Sequence, residues 1–218
     1  MIKVLKKQGF TLAEVLIALV IIGVIAALTV PTLKQNIDKR EYVTGLQKAN
    51  SVLKQAVQKL TYNYGYAVGD YSFFKNSDFI DEFAKVTSYV KKCDTTTECF
   101  GTTKYKFLSN ADVPDSNFPE KKSLVTADGM MYLAWKNNYP GGGFLSSEDN
   151  QNCMYRIYVD VNGQKKPNKF GVDTFVFFLV DGKGIVPAGA NSTNDCRKTG
   201  WGFSCTGKIL KEGKITYL

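Results

Sequence analysis

The sequence predicts an α+β fold in which one long N-terminal helix packs against an antiparallel β-sheet. Two observations predict this architecture. A long apolar run near the N-terminus passes directly into an amphipathic helical pattern, and the remaining residues form short alternating or apolar segments separated by turn residues. The length of 218 residues suits one domain of ordinary size with an appendage.

The apolar run covers residues 10–33, and Glu14 is its only charged residue. A helix of about 20 apolar residues spans the hydrocarbon core of a bilayer, so the run is long enough to cross a membrane. Three lysines lie within residues 1–9, and no cluster of positive charge of similar density follows the run directly. Because positively charged flanks stay in the cytoplasm, the N-terminus is expected there and the rest of the chain outside. The run does not match a secretory signal peptide well. The apolar core of a signal peptide is shorter than this run, and residues 25–27 form only a weak cleavage site.

Residues 34–64 continue the helix with an amphipathic pattern. Apolar side chains recur at spacings of three and four residues, at Tyr42, Leu46, Ala49, Leu53, Ala56 and Leu60. This stripe needs a partner surface, most simply a sheet of the same chain. Pro31 lacks a backbone donor and is expected to kink or loosen the helix near Ala27.

After residue 64 the pattern changes to strands and turns. The expected elements are a short helix at 78–89, a hairpin at 123–135 around Asp128-Gly129 with a type I′ turn, strands at 155–161 and 174–180, and a final hairpin at 209–217 around Glu212-Gly213. Together with the N-terminal helix they make the α+β architecture.

The segment between the strands predicted at 155–161 and 174–180 is rich in oxygen-bearing side chains. Asp160, Asn162, Asn168 and Asp173 are candidate ligands of a hard cation such as Ca²⁺. The segment departs from the EF-hand register and also contains three lysines. The alternative is a turn at Asn162-Gly163 in which the two aspartates cap backbone groups.

Five cysteines lie in the part of the chain that is predicted to be outside the cytoplasm. Cys93 with Cys99 and Cys196 with Cys205 are candidate short-range disulfides. Connectivity does not follow from sequence, and Cys153 could instead pair with one of the C-terminal cysteines. A Cys₄ metal site is a weaker alternative because no C-x₂-C pair occurs.

The composition argues against an enzyme and gives little support to nucleic-acid binding. The chain has no histidine, which excludes Ser/His/Asp and Cys/His catalysis and histidine-bearing zinc sites. No carboxylate-pair or Ser/Lys motif stands out. The formal charge is +8, and removing the three lysines of residues 1–9 lowers it to +5, a modest field for binding nucleic acid through Lys165, Lys166 and Lys169.

Residues 6–19 read Lys-Lys-Gln-Gly-Phe-Thr-Leu-Ala-Glu-Val-Leu-Ile-Ala-Leu. This segment resembles the N-terminal signature of type IV pilins and of the pseudopilins of type II secretion: a short basic leader, a Gly-Phe junction, a Glu at the fifth position after the junction, and an unbroken apolar helix. The resemblance implies that a membrane prepilin peptidase cuts between Gly9 and Phe10 and N-methylates Phe10. It also implies a pilin-like fold for the chain.

Residue roles and partners follow from the same resemblance. Glu14 is expected to pair with the Phe10 amine of a neighbouring subunit. The alternatives are that its side chain extends to the membrane–water interface or that its carboxyl is protonated. Local melting of the helix near Pro31 is expected to accompany packing into a filament. The implied partners are other pilin-like subunits, the peptidase, an inner-membrane assembly platform and membrane lipid.

The expected organisation has four parts: a leader at 1–9, a transmembrane and filament-core helix at 10–33, its amphipathic continuation at 34–64, and a globular β-rich domain outside the cytoplasm at 65–218. The expected location is the bacterial inner membrane and, after assembly, a periplasmic or surface filament. The expected function is that of a pseudopilin-like subunit in type II protein secretion. The alternative is a major or minor type IV pilin for adhesion, motility or DNA uptake.

Overall fold

A computed structural model describes residues 11–102, 104–136, 144–190 and 195–218. The chain divides into two compact units, one ending at Asp38 and one running from Lys39 to Leu218. The first unit contains the apolar part of the N-terminal helix. The second contains the rest of that helix and every other element.

Helix α1 runs from Leu12 to Asn63, as the continuous hydrophobic pattern predicts. Its side chains are exposed from Leu12 to Ile37, and from Val43 onwards one face is buried in the second unit. The buried face comprises Val43, Leu46, Ala49, Leu53, Ala56, Val57, Leu60 and Thr61. Five of the six predicted stripe residues are on this list, and the sixth, Tyr42, is partly buried against the same core.

Six antiparallel strands form one sheet in sequence order. They are β1 (Tyr89–Cys93), β2 (Ser123–Thr126), β3 (Met131–Lys136), β4 (Cys153–Asp160), β5 (Thr174–Val180) and β6 (Gly184–Pro187). The short α-helices are α2 (Phe79–Val86), α3 (Thr96–Phe100), α4 (Ser147–Gln151) and α5 (Cys205–Glu212). Two 3₁₀ turns cover Ser72–Lys75 and Asp115–Asn117.

Both faces of the sheet are covered. On one face α1 and α2 pack against the strands, and we call this cluster the helix-side core; it includes Leu46, Leu53, Phe79, Phe83, Tyr132, Tyr155, Ile157, Phe175 and Phe177. The opposite face is covered mainly by loops and α3, and we call this the loop-side core; it includes Phe100, Tyr105, Phe107, Leu133, Tyr158, Phe170, Val176, Phe178 and Phe203. All seven residues of β5 are buried because alternate side chains enter the two cores.

Two contacts fix the position of α1 within the second unit. A Cβ built at Gly45 would lie 2.9 Å from Cβ of Val161, so no other residue fits there unless the backbone shifts. Lys48 forms an ion pair with Asp128 at 2.7 Å, which joins α1 to the turn between β2 and β3. Burial raises the pKa of Asp128, but its bonds with Lys48 and Thr126 outweigh this effect and lower the pKa overall.

The short helix predicted at 78–89 is present but ends sooner. Asp78 caps α2 by accepting hydrogen bonds from the backbone N–H groups of Ile80 and Asp81. Thr87 has an extended backbone, and the chain enters strand β1 at Tyr89. Strand β1 and the terminal strand β6 were not predicted from the sequence.

The predicted hairpin at 209–217 is wrong. Residues Cys205–Glu212 form helix α5, and Gly213 has the left-handed backbone (φ 67°) that ends it. The buried residues Cys205, Thr206 and Ile209 recur with helical spacing, so Glu212-Gly213 is a helix end and not a hairpin turn. The hairpin around Asp128-Gly129 is present, but only Gly129 has a positive φ, and the turn is therefore not the expected type I′.

Candidate functional site

The start of α1 is closed by a reciprocal hydrogen-bond pattern between Thr11 and Glu14. The backbone N–H of Thr11 and its hydroxyl both donate to Oε2 of Glu14, each at 2.8 Å. The Glu14 N–H donates to Oγ1 of Thr11 at 3.3 Å. This is a capping box, which satisfies backbone donors that the first turn of a helix would otherwise leave open. In a single chain the carboxylate of Glu14 thus already has local partners.

The predicted cleavage pair, Gly9 and Phe10, lies outside the described residues. The first described residue is Thr11, directly after the predicted junction.

The first half of α1 exposes a continuous apolar surface. Its large side chains are between 44% and 79% exposed from Leu12 to Leu33. Helix α1 is the one described helix that is long and apolar enough to cross a membrane, and its most apolar stretch is entirely unburied in the chain itself. Such a surface is stable only in lipid or against other apolar helices.

Pro31 lies inside α1, which is helical on both sides of it. Proline cannot donate the hydrogen bond that would reach the Ala27 carbonyl. Two neighbouring threonines donate from their side chains to helix carbonyls: Thr29 to Ile25 at 2.9 Å and Thr32 to Leu28 at 3.4 Å. The predicted melting of this region on assembly remains a prediction.

The second candidate site is the loop between β4 and β5. Asp160, at the end of β4, is fully buried and accepts a hydrogen bond from the Tyr105 hydroxyl at 2.6 Å and one from the Asn162 N–H at 3.2 Å. Burial raises the pKa of Asp160 well above its usual range, and the nearby charge of Asp173 raises it further. Burial also raises the pKa of the Tyr105 hydroxyl, with a contribution from Asp160.

Asp173 closes the loop from the other side, just before β5. Its two carboxylate oxygens accept from the backbone N–H groups of Asn168 at 2.8 Å and Lys169 at 2.6 Å. Burial raises the pKa of Asp173 to about 6, although these N–H donors lower it. The bonds to backbone N–H groups match the turn-capping role that the sequence leaves open for both aspartates.

Two side-chain amide oxygens of the same loop have no hydrogen-bond partner among the described residues. They are the Oδ1 atoms of Asn162 and Asn168, and both are buried. No ion pair among the described residues includes Asp160 or Asp173. Two carboxylates and two amide oxygens are ligands that Ca²⁺ accepts. Within the described ranges no group of three or more His, Cys, Asp or Glu residues is placed to hold a metal ion.

Of the three loop lysines, Lys169 is engaged within the chain. Its ammonium group donates to Oδ1 of Asn110 at 2.6 Å, and the pKa of Lys169 is lowered by burial and by the neighbouring Lys106. Lys165 and Lys166 are exposed.

The described part of the chain contains two disulfides, Cys93–Cys99 and Cys196–Cys205, with Cα atoms 5.9 Å and 4.9 Å apart. The first joins the end of β1 to α3 in the loop-side core. The second joins the loop before α5 to its first residue, and both of its cysteines lie in the helix-side core. Cys153 lies outside both disulfides.

Two residues of these sites were not predicted from the sequence. Thr11 had a readable signal, since Thr-x-x-Glu before an apolar run is the capping-box pattern. No signal in the sequence points to Tyr105, because it lies 55 positions from Asp160 and only the fold brings the two residues together.

Comparison with known proteins locates one family signature. A family model described as the prokaryotic N-terminal methylation motif matches residues 5–30. Comparisons with curated proteins and with solved structures give no match to this chain. The matched residues contain the predicted Gly-Phe junction, the capping box and most of the exposed apolar helix. This motif is the prepilin signature, and the α+β architecture is consistent with the pilin-like fold. The N-terminal segment of the chain is therefore similar to that of type IV pilin and pseudopilin precursors.

Proposed function

We propose that this protein is a structural subunit of a type IV filament system and acts as a pseudopilin-like component of type II protein secretion. The observation that carries the proposal is the exposed apolar half of α1, which begins at Leu12, two residues after Phe10 of the junction in the methylation motif. Such a helix serves as a membrane anchor before assembly and as a filament core afterwards. The pilin-like class is structural, and the absence of histidine and of a catalytic motif agrees with a non-enzymatic role.

Assembly replaces lipid around α1 with the helices of neighbouring subunits. The small residues Ala18, Gly23, Ala26 and Ala27 allow these helices to approach closely. Glu14 then exchanges its bonds with Thr11 for an ion pair with the α-amine of Phe10 on a neighbour. At 4 Å and an effective dielectric constant of about 20, two unit charges attract each other by about 4 kcal/mol. The pairing sets the axial stagger between subunits.

Processing is tested by mass spectrometry of the protein purified from its membrane. We expect a mature chain that begins with N-methylated Phe10 and retains the apolar helix. Loss of the prepilin peptidase in the same cells is expected to leave Met1 in place. An intact Met1 in wild-type cells, or a cut after Ala27, contradicts the proposal.

The alternative within the same class is a type IV pilin for adhesion, motility or DNA uptake. A deletion strain separates the two functions, because loss of a pseudopilin stops the export of secreted enzymes, whereas loss of a pilin removes surface pili, twitching or DNA uptake. A DNA-binding pilin would also show DNA retardation that disappears with salt and with charge removal at Lys165 and Lys166.

We also propose that the loop between β4 and β5 binds Ca²⁺ through Asp160, Asn162, Asn168 and Asp173. The unpartnered amide oxygens of the two asparagines favour this proposal. Ca²⁺ at 100 times its dissociation constant stabilises a folded protein by about 2.7 kcal/mol, which for a chain of this size raises the melting temperature by about 5 to 11 °C.

The calcium proposal is tested by melting the detergent-solubilised chain with Ca²⁺ and with a chelator. We expect the Ca²⁺-dependent shift to disappear in Asp173→Asn. It should persist in Asp112→Asn, which removes an exposed carboxylate paired with Lys106. A wild-type melting temperature unaffected by either reagent would show that the loop is held by its hydrogen bonds alone.

A further inference from the structure

Two lysines lie side by side where two short extended segments of the second unit pair with each other. The Lys106 N–H donates to the Asn168 carbonyl at 3.0 Å, and the Phe170 N–H donates to the Lys106 carbonyl at 2.9 Å. This pairing places Lys169 directly beside Lys106. The two residues are 63 positions apart in sequence, and the fold brings them together.

The positive charges of these two lysines are close enough to repel each other. Both ammonium groups donate to Asn110: Lys169 to its Oδ1 at 2.6 Å and Lys106 to its backbone carbonyl at 3.4 Å. Burial lowers the pKa of Lys169, the charge of Lys106 lowers it further, and the nearby Asp173 offsets only part of the decrease. An anion bound at this pair would relieve the repulsion.

More basic side chains adjoin the pair, and together they form what we call the basic surface. Two of them are exposed in the loop that precedes Lys169, and two are exposed in the loop that precedes α5. The second loop is joined to the segment that contains Lys106, because the Ser109 N–H donates to the Gly200 carbonyl at 3.0 Å. The basic surface comprises Lys106, Lys165, Lys166, Lys169, Arg197 and Lys198.

The basic surface has little matching negative charge. Within the described ranges its one ion pair joins Lys106 to the exposed Asp112 at 3.0 Å. The formal charge of +5 is modest for the processed chain as a whole. The fold concentrates positive charge here, so the local field is stronger than the net charge indicates.

An exposed tryptophan is held in place beside these basic side chains. Trp201 is 52% exposed, and its ring stacks on the buried Phe107 with ring centres 5.9 Å apart. Its carbonyl accepts a hydrogen bond from the Leu108 N–H at 3.1 Å. The Cys196–Cys205 disulfide closes the loop that carries Trp201, Arg197 and Lys198. The ring is therefore a fixed platform that is open to solvent.

Two properties of this region define its partner. Several neighbouring cations favour a polymer with repeated negative charge, and a fixed exposed ring favours flat groups that stack on it. A single strand of nucleic acid has both a charged backbone and bases with free faces. Acidic polysaccharides and polyphosphate supply charge without a stacking base, and the bases of a duplex are already stacked on each other.

We propose that the basic surface binds single-stranded nucleic acid, with phosphates against the lysines and a base stacked on Trp201. Lysine binds phosphate as a point charge, and phosphate contacts carry no sequence information, so the strand is recognised with little sequence preference. The inference uses only residues of the second unit and does not rest on the filament or calcium proposals. Its failure would leave both of those standing.

Fluorescence anisotropy of a fluorescein-labelled oligothymidylate, titrated with the full chain in neutral detergent, tests the site. We expect a dissociation constant of about 100 μM or lower at low salt, with affinity that falls as salt rises. Replacing Lys106 and Lys169 by glutamine should reduce the slope of log affinity against log salt by about 0.7 for each lysine. The same charge change at Lys54 and Lys59, which are exposed on α1, should leave the slope unchanged.

Stacking is tested separately from charge. Trp201→Ala should weaken binding about 5- to 150-fold, whereas Trp201→Phe keeps an aromatic face and should retain most of the affinity. Tyr62→Ala removes a side chain that is 85% exposed at the end of α1 and should bind as the wild type does. In Trp135→Phe, Trp201 is the remaining tryptophan, and oligothymidylate should quench its fluorescence while polyphosphate should not.

Three results would overturn the proposal. Absence of binding at about 100 μM chain in low salt would show that the basic surface is only solvated. Wild-type affinity in Trp201→Ala would show that no base stacks there. Competition by polyphosphate or by a DNA duplex that is as strong as that of the single strand would show that the surface recognises charge alone.

Discussion

At the scale of single residues, Glu14 has two alternative sets of partners. In the single chain it belongs to a capping box with Thr11, and in the proposed filament it pairs with the Phe10 amine of a neighbour. A carboxylate inside an apolar helix region is costly unless it is paired, on the order of 3 kcal/mol near the middle of a membrane. The capping box therefore explains how an unassembled subunit tolerates Glu14.

Variants at these two positions separate the charge of Glu14 from its capping role. Glu14→Gln keeps the capping hydrogen bonds and loses the charge, whereas Glu14→Leu loses both. We expect both variants to insert into the membrane and to enter filaments at least about tenfold less than the wild type, because a tenfold change corresponds to about 1.4 kcal/mol, well below the attraction of about 4 kcal/mol between the two charges. Thr11→Ala removes only the cap and should assemble. Cross-linking to wild-type subunits measures how much of each variant enters filaments. Normal entry of Glu14→Gln would rule out the ion pair.

Gly45 gives a second prediction at this scale. A side chain at this position would overlap Val161, so Gly45→Val is expected to lower the free energy of unfolding of the second unit by about 1 to 3 kcal/mol. Gly23→Ala is the matched control, because a Cβ at Gly23 meets nothing within 4 Å. Denaturant unfolding in detergent measures both. Equal stability of Gly45→Val and the wild type would show that α1 does not sit this close to the β4–β5 loop.

At the scale of elements, the pattern of apolar residues identified the longest elements. The helical stripe of α1, the alternation in β4 and the continuous apolar run of β5 each predicted the element that the structure contains. Strand β1 was missed because its first four residues are exposed and two of them are lysines. The hairpin assigned to 209–217 was wrong because Gly213 serves equally well as a turn residue and as a helix end.

The disulfides also act on whole elements. Replacing Cys93 and Cys99 by serine is expected to reduce the free energy of unfolding by about 2 to 3 kcal/mol, because a closed loop of this length restricts the unfolded chain. Cys153→Ser removes no disulfide and is the control. Urea unfolding of the oxidised proteins provides the comparison. A double-serine variant as stable as the wild type would show that α3 and β1 hold together without the bridge.

At the scale of the molecule, the two compact units differ in how much of their apolar surface the chain itself buries. The second unit contains both hydrophobic cores and two disulfides, whereas the first exposes apolar side chains along its length. The apolar run of the first unit can be read directly from the sequence. The sequence did not allow the contact between Tyr105 and Asp160 to be anticipated, because the two residues are 55 positions apart and only the fold brings them together.

A chain shortened to residues 34–218 tests this division. We expect it to be monomeric without detergent and to unfold cooperatively, with a melting temperature close to that of the full chain in detergent. Size-exclusion chromatography and circular dichroism measure both properties. Aggregation or non-cooperative melting of the shortened chain would show that the apolar segment contributes to folding of the domain.

The covering of the sheet on both faces has a consequence for how such a protein diversifies. Since both faces of strands β2 to β5 are largely covered, contacts between domains are expected at loops, short helices, the exposed strand β1 and strand edges. Those segments can change sequence without repacking either core. Recognition of new neighbours can therefore evolve while the framework that displays it stays the same.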